Sequence, residues 1–164
     1  MRRAYFELVL RKFNTDFKQE LQLVEHADYG LNSYHYEGDV YTHTIMVVHE
    51  FLKQQHLLDD VDYRVGLLAC FLHDLGKGFA KHERDGRTFM SGHELVSASR
   101  GLPWLKENQE LFNLTDYDIE TVLALVLQHT VAHKEEYKND CTMLLKVVNS
   151  ADELGRIAKG VWDD

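Results

Sequence analysis

The sequence predicts an all-α chain, and three observations lead there. Its 164 residues contain a single proline, Pro103, so little in it breaks a helix. Apolar residues recur at three- and four-residue spacing in one segment after another, and no segment shows the two-residue alternation of a half-buried strand. The length suits one domain, which buries about 70% of its unfolded surface and needs no disulfide staples.

Taken in order, residues 1–13 and 15–27 read as two short amphipathic helices that pack on the rest. Residues 28–40 hold Gly30, Asn32, Ser33, Gly38 and Asp39 and read as a connecting loop. A helix is expected from Tyr41, with Ile45, Val48 and Phe51/Leu52 turned inward. The next spans about residues 60–73 on Val61, Val65, Leu68 and Leu72, with Gly76 as its stop. Residues 76–92 place Gly76, Gly78, Gly86 and Gly92 among many charges, which predicts a long loop of the kind that often carries function. Another helix starts near His93 and ends before Pro103. Thr115 with Asp118 reads as a capping box, ahead of a helix that puts Ile119, Val122, Val126, His129 and His133 on one face. The last helix covers about residues 141–158, with Leu144, Val148 and Asp152 four apart. The sum is a single bundle of six or seven helices.

Composition narrows the function. With 45% hydrophobic and 27% charged residues, the chain is globular rather than disordered. A net charge of −9 argues against a broad grip on duplex nucleic acid but leaves room for a local site that holds a small phosphate ligand. Cys70 and Cys141 sit in apolar segments and read as two buried thiols. No run approaches 18 apolar residues, and residues 1–13 are too short and too interrupted by charge for a signal peptide. A cytoplasmic protein with no membrane partner is expected.

Ten histidines are many for this length, and their placement carries the chemistry. His43, His73-Asp74, His93, His129 and Asp152 fall on expected buried faces or helix ends. Buried imidazoles and carboxylates are costly unless paired or bound to metal. One metal accounts for some of them and two account for all; this donor set suits first-row divalent ions. Taken singly, each has a plainer reading: His43 as a satisfied core or surface histidine, His93 as an ordinary helix start, His129 as half-buried, Asp152 as a solvated face.

In the order His…His-Asp…His…His…Asp, these residues resemble the HD-domain metal-dependent phosphohydrolases. Residues 35–44 (His-Tyr-Glu-Gly-Asp-Val-Tyr-Thr-His-Thr) are similar to the first-histidine segment in the HD domains of bacterial tRNA CCA-adding enzymes, and to that of HD modules joined to polynucleotide kinases in RNA repair. His73-Asp74-Leu75-Gly76-Lys77-Gly78 matches their central motif. Gly92-His93-Glu94 and His129 match the extra histidines of the two-metal branch, and Ala151-Asp152-Glu153 the closing aspartate. The resemblance covers about residues 35–156. It departs at Tyr36, where those relatives usually have proline. The sequence shows no nucleotidyltransferase domain and no GxxxxGK[ST] loop, so a free-standing HD domain over residues 1–164 is expected.

The resemblance implies two divalent transition-metal ions (Mn, Ni, Co, Fe or Zn, with Mg acceptable). His43, His73, Asp74 and Asp152 would hold one, with Asp74 bridging to a second held by His93 and His129. It implies a phosphohydrolase that cleaves phosphate mono- or diesters of nucleotides or RNA ends with a metal-activated hydroxide, as a 2′-nucleotidase, 2′,3′-cyclic phosphodiesterase or phosphatase. The alternatives are a 5′-nucleotide or dNTP phosphohydrolase and a non-catalytic nucleotide-sensing module. Lys77 would act beside Asp74 in catalysis, as a point charge on a phosphate oxygen. Lys81, His82, Arg84 and Arg87 read as a phosphate guide or as a plain solvated loop. Arg156 would reach a substrate phosphate or pair with an acid. His35 and Glu37 are candidates for contacts with substrate or behind the ligands; His133 is expected outside the ion shell, and His26, His49 and His56 are read as ordinary.

Overall fold

The helical periodicity becomes helix along most of the chain. A computed structural model describes residues 1–25, 38–131, 134 and 142–156. Its helices are α1 (Arg2–Gln22), α2 (Val40–Lys53), α3 (Asp60–Leu72), α4 (Lys77–Ala80), α5 (His93–Glu107), α6 (Asp116–Gln128) and α7 (Met143–Leu154). One 3-10 turn, Gln55–Leu57, follows α2, and strands β1 (His82–Arg84) and β2 (Arg87–Phe89) form a small hairpin. The fold is all-α, as expected. Among the described residues no helix is long and apolar enough to cross a membrane.

Side chains start four of these helices. Asp39 accepts from Thr42 N (2.7 Å) and Asp59 from Asp62 N (2.8 Å). Thr115 and Asp118 form the expected reciprocal capping box (3.1 and 2.8 Å), and Thr142 accepts from Leu145 N (3.2 Å). Helix α3 is the hub: it packs on α1, α2, α5, α6 and α7. Val65 to Leu72 are all buried, which lines the core with Leu67, Leu68, Phe71 and Leu72. Val61 departs from the expected inward stripe and lies exposed in the first turn of α3.

Three expectations are corrected. The two N-terminal helices are one, because Asn14 and Thr15 are absorbed rather than breaking it. Thr15 Oγ1 donates to the Arg11 carbonyl (2.9 Å), and Asn14 Oδ1 accepts from the Tyr41 hydroxyl on α2 (2.7 Å). The same helix sets Phe13 and Phe17 against Trp104, with centroids 6.3 and 5.4 Å away. Secondly, α5 continues through Pro103 to Glu107. An interior proline costs about 3 kcal/mol; burial of Trp104 and Leu105 just beyond it outweighs that cost. Thirdly, the long loop is largely structured. It contains α4 and the hairpin, whose turn residues Asp85 and Gly86 both have positive φ (53° and 72°). An Asp-Gly pair suits such a turn, and it stands in the sequence as an unread hairpin signal.

Cys70 is buried, as expected. Cys141 and the segment 26–37 lie outside the described residues. The last helix is shorter than the expected 141–158: Thr142 caps its start and Gly155 follows its end at Leu154.

Candidate metal centre

Five helix segments converge on one point. His43 lies on α2. His73 caps the C-terminus of α3, and Asp74 follows it. His93 opens α5, His129 caps the end of α6, and Asp152 sits in the last turn of α7. Because α3 ends at Leu72, two adjacent residues can both turn inward. All six are buried except His93, which is partly so. The helix is not stopped by Gly76 itself. Gly76 lets α5 approach instead: a Cβ there would stand 2.5 Å from Ser97 N and 2.6 Å from the His93 carbonyl oxygen. Ser97 Oγ accepts from Gly76 N (2.8 Å), tying the HD turn to the helix that presents His93.

The ligand atoms form two groups, His43/His73/Asp152 and Asp74/His93/His129, each with its donors within 4.8 Å of one another. Asp74 stands between them and divides its oxygens. Oδ1 lies 3.1 Å from His93 Nε2 and 3.7 Å from His129 Nε2. Oδ2 lies 3.1 Å from His73 Nε2 and 3.5 Å from His43 Nε2. Asp152 Oδ1 faces the first pair, 3.0 Å from His43 Nε2 and 3.5 Å from His73 Nε2.

The histidines are oriented for a cation. Each sets its Nδ1 against a backbone carbonyl, which can only accept: Gly155 for His43 (3.0 Å), Cys70 for His73 (2.7 Å), Met90 for His93 (2.9 Å) and Val126 for His129 (2.5 Å). The Nδ1 proton is therefore spoken for, and Nε2 is left to supply a lone pair, as in ligating histidines generally. The Nε2 atoms then point at one another, 3.1 Å apart for His93 and His129 and 3.4 Å for His73 and His43. Asp74 Oδ2 is buried without a hydrogen bond of good geometry, although Lys77 Nζ stands 2.9 Å away. Converging lone pairs and an underserved carboxylate oxygen are what a divalent ion would resolve, and imidazole with carboxylate is a fitting donor set for one.

Without metal the charges must be balanced by protons. Burial disfavours a charged His73, but Asp74 and Asp152 outweigh it and push its pKa up to about 10. Burial works against an ionised Asp74 too, yet His73 and Lys77 hold its carboxyl well below the usual carboxylate range. At His129 burial wins over the pull of Asp74, and the imidazole is held neutral. A raised His73 stabilises the metal-free fold fully below its unfolded value of 6.5, and that stability is lost as pH climbs toward 10. Metal must displace the same proton, so metal affinity rises over the same window. Thermal melts between pH 6.5 and 9.5 are expected to show the metal-free protein losing stability while the metal-induced gain in Tm grows. A metal-free Tm that climbs across that range would contradict this balance.

The other expected residues divide. Lys77 is 7% exposed and ion-paired with Asp74 (2.9 Å). Arg156 Nη2 donates to Asp152 Oδ2 (3.1 Å), the pairing with an acid that is one of its two expected readings. Lys81, His82 and Arg84 are exposed on and before the hairpin, and Arg87 lies on β2 opposite Arg84. His35, Glu37 and His133 lie outside the described residues. Sequence reasoning missed Gly155 and Ser97, which touch the histidine-bearing segments through a backbone carbonyl and a hydroxyl that follow no hydrophobic period.

A match to the HD domain family covers residues 40–157, most of the chain and every one of the six residues. The chain belongs to the HD domain family. No curated protein and no solved structure matches it. HD domains bind divalent metals, are generally metal-dependent hydrolases and are all-α, in accord with the helical fold and the two His/Asp groups of this one.

Proposed function

We propose that this HD domain is a two-metal phosphohydrolase acting on phosphate mono- or diesters of nucleotides or RNA ends. The observation that carries the reading is the split carboxylate of Asp74, one oxygen toward each His/Asp group. His43, His73 and Asp152 with Asp74 Oδ2 would hold one ion, and His93 and His129 with Asp74 Oδ1 the other. Bound ions would supply Lewis acidity toward a phosphoryl group and a water of lowered pKa. The protein's own part is to keep those donors in place. Lys77 pairs with Asp74 Oδ2 and neutralises part of its charge; Arg156 does the same for Asp152 Oδ2. Lys77 also places a cation beside the reacting region, in keeping with a role on a phosphate oxygen.

The similarity of residues 35–44 to the HD domains of CCA-adding and RNA-repair enzymes supports 2′-phosphates, 2′,3′-cyclic phosphates or RNA ends as substrates. The net charge of −9 favours a small nucleotide or a frayed end over a duplex. A cytoplasmic location, with residues 1–164 forming one HD unit on which α1 packs, fits the same picture.

The test is a substrate panel. Metal-stripped protein is resupplied separately with Mn, Co, Ni, Zn or Mg, and phosphate and nucleoside release are followed from 2′-, 3′- and 5′-AMP, 2′,3′-cyclic AMP, dNTPs and a 2′-phosphate RNA end. Preference for the 2′ or cyclic substrates is the expected result. Preference for 5′-AMP or dNTPs would select the nucleotide-pool alternative. Silence on every pairing by folded, metal-loaded protein would overturn the enzyme reading in favour of a nucleotide-sensing module.

A further inference from the structure

His43 differs from the other three histidines in how it is oriented. His73, His93 and His129 each use the carbonyl three residues earlier in their own segment. These bonds form with the local turn and need nothing from elsewhere. His43 instead uses the Gly155 carbonyl, 112 positions away at the end of α7. That carbonyl can reach it only because α7 ends against α2 at very short range. A Cβ on Gly155 would stand 2.7 Å from Val47 Cγ2, 2.8 Å from Val47 N and 2.9 Å from Val47 Cα. Two of those neighbours are backbone atoms, which cannot swing aside. Gly155 has φ −77° and ψ 16°, a conformation open to any residue, so the need for glycine there is steric alone.

We infer that Gly155 is a positioning residue for the His43/His73/Asp152 metal group, acting through the tautomer of His43. It rests on the metal-site reading above. The glycine lets the α7 terminus close on α2, the carbonyl then takes the Nδ1 proton, and Nε2 is turned toward the ion position. The same short segment supplies Asp152 as a donor and Arg156 as the partner of Asp152 Oδ2, so docking of this terminus completes one group at a stroke. The Asp74/His93/His129 group has no such dependence, since both of its histidines are oriented by their own turns.

The two groups should therefore separate on Gly155→Ala. The substitution keeps the backbone conformation available but pushes the terminus from Val47. Calorimetric titration of metal-stripped full-length protein with Zn2+ is expected to give two sites in the wild type. In Gly155→Ala one site is kept, and the other is weakened about 10–100-fold, the scale of lost support behind a ligand. Equal two-site binding in both proteins would overturn the inference and leave the metal centre standing. A wild type that takes up no Zn2+ would overturn both. A second measurement needs no variant. Long-range 15N–1H spectra of wild-type protein, metal-free and Zn2+-loaded, are expected to show a proton on His43 Nδ1 in both states. A His43 that carries its proton only on Nε2, or that binds Zn2+ through Nδ1, would overturn the inference even if Gly155→Ala fails to fold.

Discussion

Asp74→Asn is expected to empty the centre of metal and to cut phosphate release by at least about 10²–10³-fold, the scale on which loss of one preorganised electrostatic group acts. Both groups lose a charged donor at once, because each Asp74 oxygen serves a different one. The helices should persist, since no helix cap and no apolar core side chain is altered. Stability will not be untouched, however. Asp74 is the carboxylate against which buried Lys77 and a charged His73 are balanced in the metal-free protein. Removing one partner from such a buried cluster costs about 3–5 kcal/mol. Metal content by elemental analysis, circular dichroism and a denaturant melt together check this: near-native helicity, little metal, a lowered midpoint. A variant that keeps two ions would remove Asp74 from its central position.

Gly76→Ala is expected to be the most disruptive single-methyl change in the HD turn. Its new Cβ would meet Ser97 N at 2.5 Å, the His93 carbonyl oxygen at 2.6 Å and Val96 Cβ at 2.7 Å. These belong to the first turns of α5, so relief requires the helix to move. Overpacking of this kind costs about 1–3 kcal/mol. The displacement would also carry His93 from Asp74 Oδ1 and stretch the bond from Gly76 N to Ser97 Oγ. Metal should be lost selectively from the Asp74/His93/His129 group, the reverse of the pattern expected for Gly155→Ala. Melts and Zn2+ stoichiometry on the two variants side by side would show it. Native stability together with intact two-site binding would mean that α5 does not set the position of His93.

Much of the centre could be read before any coordinates because its ligands sit on periodic elements. Val122, Val126 and His129 follow one helical face, as do Leu144, Val148 and Asp152, and burial of the apolar members drags the polar one inward. His73 and Asp74 were legible as a pair at a helix end. What could not be read depends on contacts between distant elements. The place of Gly155 beneath Val47 leaves no trace in spacing, and neither does the meeting of Gly76 with Ser97. Lys77 does not belong with these: it is read from the sequence as acting beside Asp74, three residues away, and it is buried and ion-paired with it. Pro103 misled for a different reason: local propensity named a helix end where packing of Trp104 and Leu105 decided otherwise. The Asp85-Gly86 pair is a hairpin signal carried by two residues alone, within a segment whose charges otherwise suggest a loop.

The most direct test of the central claim is phosphate release by metal-stripped protein as Mn2+ is added back, using the preferred substrate of the panel, with Asp74→Asn alongside. The account predicts no turnover without metal, a rise that saturates as two equivalents bind, and at least about 10²–10³-fold less turnover at every Mn2+ concentration in Asp74→Asn. Turnover that survives stripping, or that stays near the wild-type rate in Asp74→Asn, would contradict it.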